Sequence, residues 1–361
     1  MDNHADAQRD LFAERIFNGT IAFMEMISVY LGDQLGYYAA MADGKPLTAA
    51  ELSSLTSTDA RYTREWLEQQ AVGAILDVES TDDPEARRYT LPAGHREALC
   101  DRDSLAFVAP LSQQMIACVR PIDALVEAYK TGSGVPFESY GEDMRQGIER
   151  GNRPQFLNCL ASDWIPAMPD IEQRLRSNPP ANVADFGCGS GWSSIAIALG
   201  FPNALVHGLD IDESSIRAAR LNAADQGLGD RLKFSQQDAS DASLTGRYDL
   251  ACAFECIHDM ADPISALRAM RNLVGEGGTV LIADERVADI FSAPGDELER
   301  FMYGFSVVHC LPVGLVDQPS SATGTVMRKS TFEGYAKEAG FASVEVLAVE
   351  NDFWYLYRLT A

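Results

Sequence analysis

The stretch Val183-Ala184-Asp185-Phe186-Gly187-Cys188-Gly189-Ser190-Gly191 decides how the rest of the chain is read. Apolar residues run to an acid, glycines follow at alternate positions, and the helix-like stretch 193–199 comes next. That order predicts a strand, a tight turn and a helix. Glycine is needed where a chain turns this sharply and where backbone must approach a ligand closely. Such a loop serves several ligand classes, and Asp185 narrows them. A carboxylate just before the loop suits a cationic ligand, whereas a pyrophosphate is met by backbone N–H groups at a helix N-terminus.

Further stations follow in order. Leu205–Asp210 reads as a second strand ending in an acid, about 20 residues on, a spacing that suits a carboxylate gripping a ribose diol. Residues 232–238 give a third strand and set Asp238 to meet an adenine amino group. Residues 248–255 form a fourth strand, 266–273 a helix, and 279–283 a fifth strand after the turn Gly275-Glu276-Gly277-Gly278. The chain closes with a helix over 331–339 and two strands, 344–349 and 353–357, around Asn351-Asp352. The fold class is therefore α/β, a doubly wound parallel sheet with ligands at the carboxyl ends of its strands. A cation, a ribose and an adenine met in that order make up S-adenosylmethionine.

This half resembles the class I Rossmann-like S-adenosylmethionine-dependent methyltransferases, in which a terminal hairpin follows the parallel strands. The whole chain is similar to two-domain small-molecule methyltransferases, the bacterial winged-helix enzymes and, more distantly, plant O-methyltransferases. Residues 183–285 carry the specific part of the likeness. The resemblance implies S-adenosyl-L-methionine as methyl donor and S-adenosyl-L-homocysteine as product. It places Asp185, Gly187, Gly189, Gly191, Asp210, Ile211, Asp238, Ala239 and Phe254 at the cofactor.

The segment Phe254-Glu255-Cys256-Ile257-His258-Asp259-Met260 follows the fourth strand, where the acceptor lies in this fold. Methyl transfer is an in-line displacement at an activated carbon, so the enzyme must hold nucleophile and methyl aligned. A hydroxyl acceptor also needs a base, and imidazole is poised near neutral pH, giving an acid limb near pH ~6–7. In the plant enzymes the His of a His-Asp pair removes the hydroxyl proton. His258-Asp259 matches it, with Glu285 to orient the ring. Two departures stand out: Thr325-Val326-Met327-Arg328 replaces the expected second glutamate, and Met260 replaces a tryptophan. Glu255, Tyr303, His309, Trp164 and Arg153 are the further acceptor candidates, Arg150 and Arg153 offering a fork for a carboxylate. No metal is expected: the seven cysteines are scattered without a C-x-x-C pair, and Cys256, His258, His309 and Cys310 lack ligand spacing.

The front half reads differently. Leu11, Phe12, Ile16, Phe17, Phe23, Met24, Ile27, Tyr30 and Leu31 recur at helical spacing. Thr48-Ala49-Ala50-Glu51 is a capping box, residues 61–72 form a further helix, and residues 73–78 and 88–91 look like two short strands. That is a winged-helix arrangement, expected over 1–104 as a dimerisation module. A helical connecting and lid region is expected over 105–180, with breaks at Gly132-Ser133-Gly134 and Pro154, and the methyltransferase domain over 181–361.

Acidic residues outnumber basic ones 53 to 29, for a formal charge of −24. That opposes a nucleic-acid partner, which needs clustered Lys and Arg. The start Met-Asp-Asn-His lacks the basic and apolar regions of a signal peptide, and no apolar run reaches ~18 residues, so no membrane partner and a cytoplasmic site are expected. The expected partners are a small-molecule acceptor and a second copy of the chain in a homodimer. O-methylation with His258 as base leads. S-methylation of a small thioether acid by positioning alone stands beside it, as in sulfonium-osmolyte synthesis. A cofactor-sensing winged-helix regulator and a dinucleotide oxidoreductase are the readings of other classes.

Overall fold

A computed structural model describes residues 3–79, 81–241, 243–275 and 277–360. Glu276 of the expected turn and the Met1-Asp2 start lie outside the described residues. The chain falls into two compact units, Met1–Ile116 with Gln146–Pro154, and Ala117–Arg145 with Gln155–Ala361.

The first unit is a helical winged helix-turn-helix. Its opening helix, Asn3–Gln34, extends beyond the expected 11–31 at both ends. Thr48 opens the helix Ala49–Thr56 with the expected capping box: its hydroxyl accepts from Glu51 N at 3.2 Å while Thr48 N donates to Glu51 Oε2 at 2.8 Å. The helix Ala60–Val72 leads to the wing, strands β1 (Asp77–Glu79) and β2 (Arg88–Thr90), paired antiparallel. Tyr37, Tyr38 and Trp66 centre the core of this unit, with Trp66 Nε1 donating to Ser28 O at 2.8 Å. A side chain at Gly32 would come within 2.4 Å of the Trp66 ring, so glycine there lets the first helix settle on it.

The second unit is built on a seven-stranded sheet. Its strands are β3 (Asn182–Phe186), β4 (Leu205–Asp210), β5 (Leu232–Gln236), β6 (Leu250–Phe254), β7 (Thr279–Glu285), β8 (Ser343–Val346) and β9 (Trp354–Thr360). They lie in the order β5-β4-β3-β6-β7-β9-β8, all parallel except β9, which runs antiparallel to both neighbours. Strand β6 shows why the sheet is buried on both faces. Leu250, Cys252 and Phe254 join one core with the helix Trp192–Gly200, and Ala251 and Ala253 join another with the helices Pro263–Val274 and Lys329–Ala339. The two-residue alternation of a strand, apolar on both sides, calls for such a covered parallel sheet.

Several boundaries differ from the sequence reading. The third strand stops at Gln236 and leaves Asp238 in a loop, and the fourth stops at Phe254 because Glu255 turns into the left-handed region at φ 51°. Pro154 does not break the chain. It sits inside the helix Glu142–Gln155, which continues as the π-helix Phe156–Trp164. A wider turn beside proline accommodates the bond that its missing N–H removes. Among the described residues no helix is long and apolar enough to cross a membrane.

At Gly191, φ is 84° and a Cβ would stand 2.8 Å from the Phe234 ring and 2.9 Å from Ala219 Cβ. Gly191→Ala therefore combines backbone strain with overpacking and should lower unfolding free energy by about 1–3 kcal/mol, read from denaturant midpoints.

Candidate active site

Strands β3 and β6 are neighbours, yet the helices that follow them cover opposite faces of the sheet. Their carboxyl ends therefore open a crevice, the place where ligands bind in sheets of this kind.

On the β3 side the loop turns at Gly187, Gly189 and Gly191, with φ of 63°, 51° and 84°. A Cβ on Gly187 would lie 2.7 Å from Cys256 Sγ, whereas one on Gly189 would meet nothing within 4 Å. Asp185 is fully buried. Its Oδ2 accepts from Ser193 Oγ and Ser194 Oγ, both at 2.6 Å, and its Oδ1 has no partner. Burial pushes its pKa up to about 6. Asp210, at the end of β4, accepts from Gly189 N through Oδ2 and from Asp212 N through Oδ1, each at 2.8 Å. Ile211 is exposed beside it. After β5, Asp238 is exposed and caps Ser240 N at 2.8 Å, while Ala239 packs on the core.

On the β6 side Phe254 joins a group of rings. Its centroid lies 5.4 Å from Phe156 and 6.1 Å from Trp164, and Trp164 meets Trp354 edge-on at 5.4 Å. Glu255 accepts from Trp354 Nε1 at 2.6 Å. His258 is buried among carboxylates: Nδ1 lies 2.8 Å from both Asp284 Oδ1 and Glu285 Oε2, and Nε2 lies 3.2 Å from Asp259 Oδ1. Burial alone would favour the neutral ring. The fields of the ionised Asp284 and Asp259 outweigh it and hold the His258 pKa well above its ordinary value. Burial pushes Glu285 up, so it keeps its proton. Burial also opposes ionisation of Asp284 and Asp259, but the facing imidazole holds both below the usual carboxylate range. The pH ~6–7 expected for a His258 transition is therefore too low, because three carboxylates surround one ring.

His258, Asp259 and Cys310 bring one donor atom each within 4.8 Å of one another, as do His258, Asp284 and Glu285; either set is compact enough for an ion, and the imidazole belongs to both. His309 is buried, edge-on to Tyr140 at 4.6 Å, with Nε2 lacking a hydrogen bond. Tyr303 OH accepts from Arg328 Nη2 at 3.2 Å, and Arg328 also pairs with buried Glu299. The arginine in place of the expected glutamate thus has a carboxylate of its own. Arg153 belongs to the first unit and pairs with Asp103 at 2.7 Å, and Arg150 forks onto Asp33 there.

The structure brings together Asp185, the glycine loop and Asp210, and separately His258, Asp259 and Glu285. Asp284 was missed because the fifth strand was read as ending at Ala283. Ser193 and Ser194 were missed because they looked like ordinary first-turn residues of a helix.

Residues 177–314 match the family model described as a methyltransferase domain, and residues 21–102 match the Rv2258c-like winged HTH domain. Over 208 residues the chain is 26% identical to a ubiquinone biosynthesis O-methyltransferase of Ralstonia nicotianae, covering 56% of this chain and 78% of that protein. Over 127 residues it is 34% identical to the protein of the same name from Azotobacter vinelandii, covering 35% and 51%. A solved structure of a putative O-methyltransferase from Nostoc punctiforme aligns over 96% of this chain and 98% of its own, with a TM-score of 0.71 and 18% identity. Human N-acetylserotonin methyltransferase in complex with SAM aligns over 96% and 97%, with a TM-score of 0.62 and 18% identity. The chain carries a methyltransferase domain behind a winged helix-turn-helix domain and is an S-adenosylmethionine-dependent methyltransferase.

The residues present fit that cofactor. The orphaned Asp185 Oδ1 offers a buried acceptor for a cationic donor, and the open space at Gly189 lets a ligand approach the methyltransferase backbone.

The protons of the His258 group link to stability. The folded methyltransferase keeps protons on His258 and Glu285 that the unfolded chain releases at lower pH. The His258 contribution is full below its unfolded value, about 6.5, and is lost as pH rises through its higher folded value. Glu285 acts in the same direction, since its ionised form is disfavoured in the fold. The melting temperature should fall between pH 6 and 9, and Glu285→Gln, which mimics the protonated acid, should flatten that slope.

Proposed function

We propose that this methyltransferase transfers a methyl group to a hydroxyl of a small-molecule acceptor, with His258 as general base. The observation that carries the reading is the orientation of His258. Asp284 Oδ1 lies 2.8 Å from Nδ1, which leaves Nε2, beside Asp259, as the ring nitrogen for the acceptor. Three of the cited relatives carry the name O-methyltransferase, which supports oxygen as the attacked atom.

In this reading Asp185, the glycine loop and Asp210 hold the cofactor, with Ile211, Asp238, Ala239 and Phe254 around its adenosine. The bound cofactor supplies an electrophilic methyl on a sulfonium. The acceptor hydroxyl takes the place that Asp259 Oδ1 holds beside Nε2, and its proton passes to Nε2 as the oxygen attacks. Asp284 stabilises the imidazolium that forms, and Glu285, protonated, leaves the pair with a single full negative charge on that side. Phe156, Trp164, Phe254 and Trp354 offer an apolar wall for a flat acceptor, with Glu255, Tyr303 and His309 as polar contacts.

One observation favours a second reading. A ring held protonated at neutral pH accepts no proton, so transfer to a thioether, which has none to lose, needs only alignment.

Labelled methyl transfer to phenols, hydroxy acids, amines and thioether acids across pH separates the two. O-methylation should rise with pH along an acid limb above pH ~6.5, and His258→Ala should lower kcat by about 10²–10⁴-fold. A pH-independent transfer to a thioether that survives His258→Ala would replace the first reading with the second.

We also assign the winged-helix unit, expected over 1–104, as the dimerisation module. Leu11, Phe12, Ile16 and Phe17 of the first helix are 68%, 61%, 56% and 66% exposed, an apolar face that a second copy would cover. Light scattering should give the mass of a dimer, and Phe12→Glu with Ile16→Glu should give that of a monomer.

A further inference from the structure

Between the helix Ile122–Thr131 and Arg145 the chain forms a strap fastened at two places in the second unit. One end is tied to the helical run that carries His309 and Cys310. Tyr129 OH donates to Val307 O at 3.0 Å, Val135 N to Pro312 O at 2.9 Å, and Tyr140 OH to Val308 O at 2.8 Å. Gly134 lies so close that a Cβ would stand 2.3 Å from Val316 N. The other end is Arg145, which forks onto Asp212: Nε to Oδ2 at 2.8 Å and Nη2 to Oδ1 at 3.1 Å. The two side chains are 16% and 22% exposed. Asp212 in turn donates its N–H to Asp210 Oδ1 and caps the helix Glu213–Asp225 through Ser215 N.

One segment thus touches the run 306–310, whose Cys310 sits within reach of His258 and Asp259, and the neighbour of the carboxylate assigned to the ribose. We propose that Arg145 is a positioning residue that sets Asp210 through Asp212 and passes occupancy of the cofactor site along the strap to the acceptor side. The inference rests on the reading of Asp210 as the ribose-gripping acid. Its physics is simple. A bidentate guanidinium fixes both oxygens of Asp212 and neutralises its charge. Without it a bare carboxylate stands two residues from Asp210, the turn that aims Asp210 loosens, and the strap loses its cofactor-side anchor. Lysine supplies the charge but not the fork.

The test uses the full chain and S-adenosylhomocysteine, with calorimetric affinity and amide hydrogen exchange as readouts. Arg145→Ala should weaken binding by about ten-fold, as expected for losing a partly buried forked pair. Ligand at saturation should slow exchange in residues 306–310 of the natural chain. In Arg145→Ala it should slow exchange at 187–191 but no longer at 306–310, and Arg145→Lys should recover part of both effects. Tyr140→Phe removes one of the three hydrogen bonds at the far end and leaves Asp212 paired, so it should keep the affinity and weaken the protection at 306–310. It carries the test should Arg145→Ala fail to fold. Arg145→Ala that binds within two-fold of the natural chain and still protects 306–310 overturns the proposal, as does Tyr140→Phe with undiminished protection. Asp210→Asn with unchanged affinity would remove instead the reading of Asp210 beneath it.

Discussion

Asp185 is a carboxylate without solvent at the end of a buried strand, and the carboxyl edge of the sheet is arranged around it. Two hydroxyls, Ser193 and Ser194, reach it from the first turn of the next helix. They can do so only if the chain reverses within the glycine loop. The sequence order acid, glycines, helix is thus one physical unit: the acid needs the helix, and the helix needs the loop. Burial still raises the proton affinity of Asp185, since two neutral donors do not replace water around a full charge. A positive charge beside the unpartnered Oδ1 would lower that cost.

The second acidic group follows other rules. His258 is the one base among Asp259, Asp284 and Glu285; it and the last two are buried, and Asp259 is partly exposed. Four ionised groups there would leave a net charge of two in a low dielectric, which is costly. Protonated Glu285 and protonated His258 reduce it to one. The same proton count that makes the group tolerable makes His258 a base only after it has released a proton. Orientation and proton release are therefore separate properties of this ring: Asp284 holds its Nδ1, and the charges around it set when the proton leaves.

What could be read in the sequence was what is local. The strand-loop-helix of 183–199, Asp210, the capping box at Thr48 and the terminal hairpin all rest on spacing within one element and its neighbour. The His258–Glu285 pairing came through resemblance, not spacing. Asp284 shows the limit. An alternating strand puts residues 284 and 285 on opposite faces, yet both carboxylates reach Nδ1, because the strand ends there and side chains can converge at its rim. The strap was illegible for a different reason. Tyr129 and Val307 are 178 positions apart, and no periodicity in either segment points to the other. Arg153 looked like a ligand for an acceptor because its partner, Asp103, is invisible without the fold.

The closing hairpin does more than finish the sheet. Because β9 runs antiparallel to β7, its first residue, not its last, lies at the carboxyl edge, and the register sets Trp354 opposite Glu285. From there the Trp354 indole N–H reaches Glu255, a residue already held at φ 51°. A parallel strand in the same place would bring its own end to that edge and its loop over the crevice. The antiparallel one brings a rigid aromatic side chain on a residue laddered to Glu285, so in the ring wall Trp354 and Phe254 stand on strand backbone and Phe156 and Trp164 on the π-helix, none of them on a loop. Positions fixed in this way suit a reaction whose main demand is alignment.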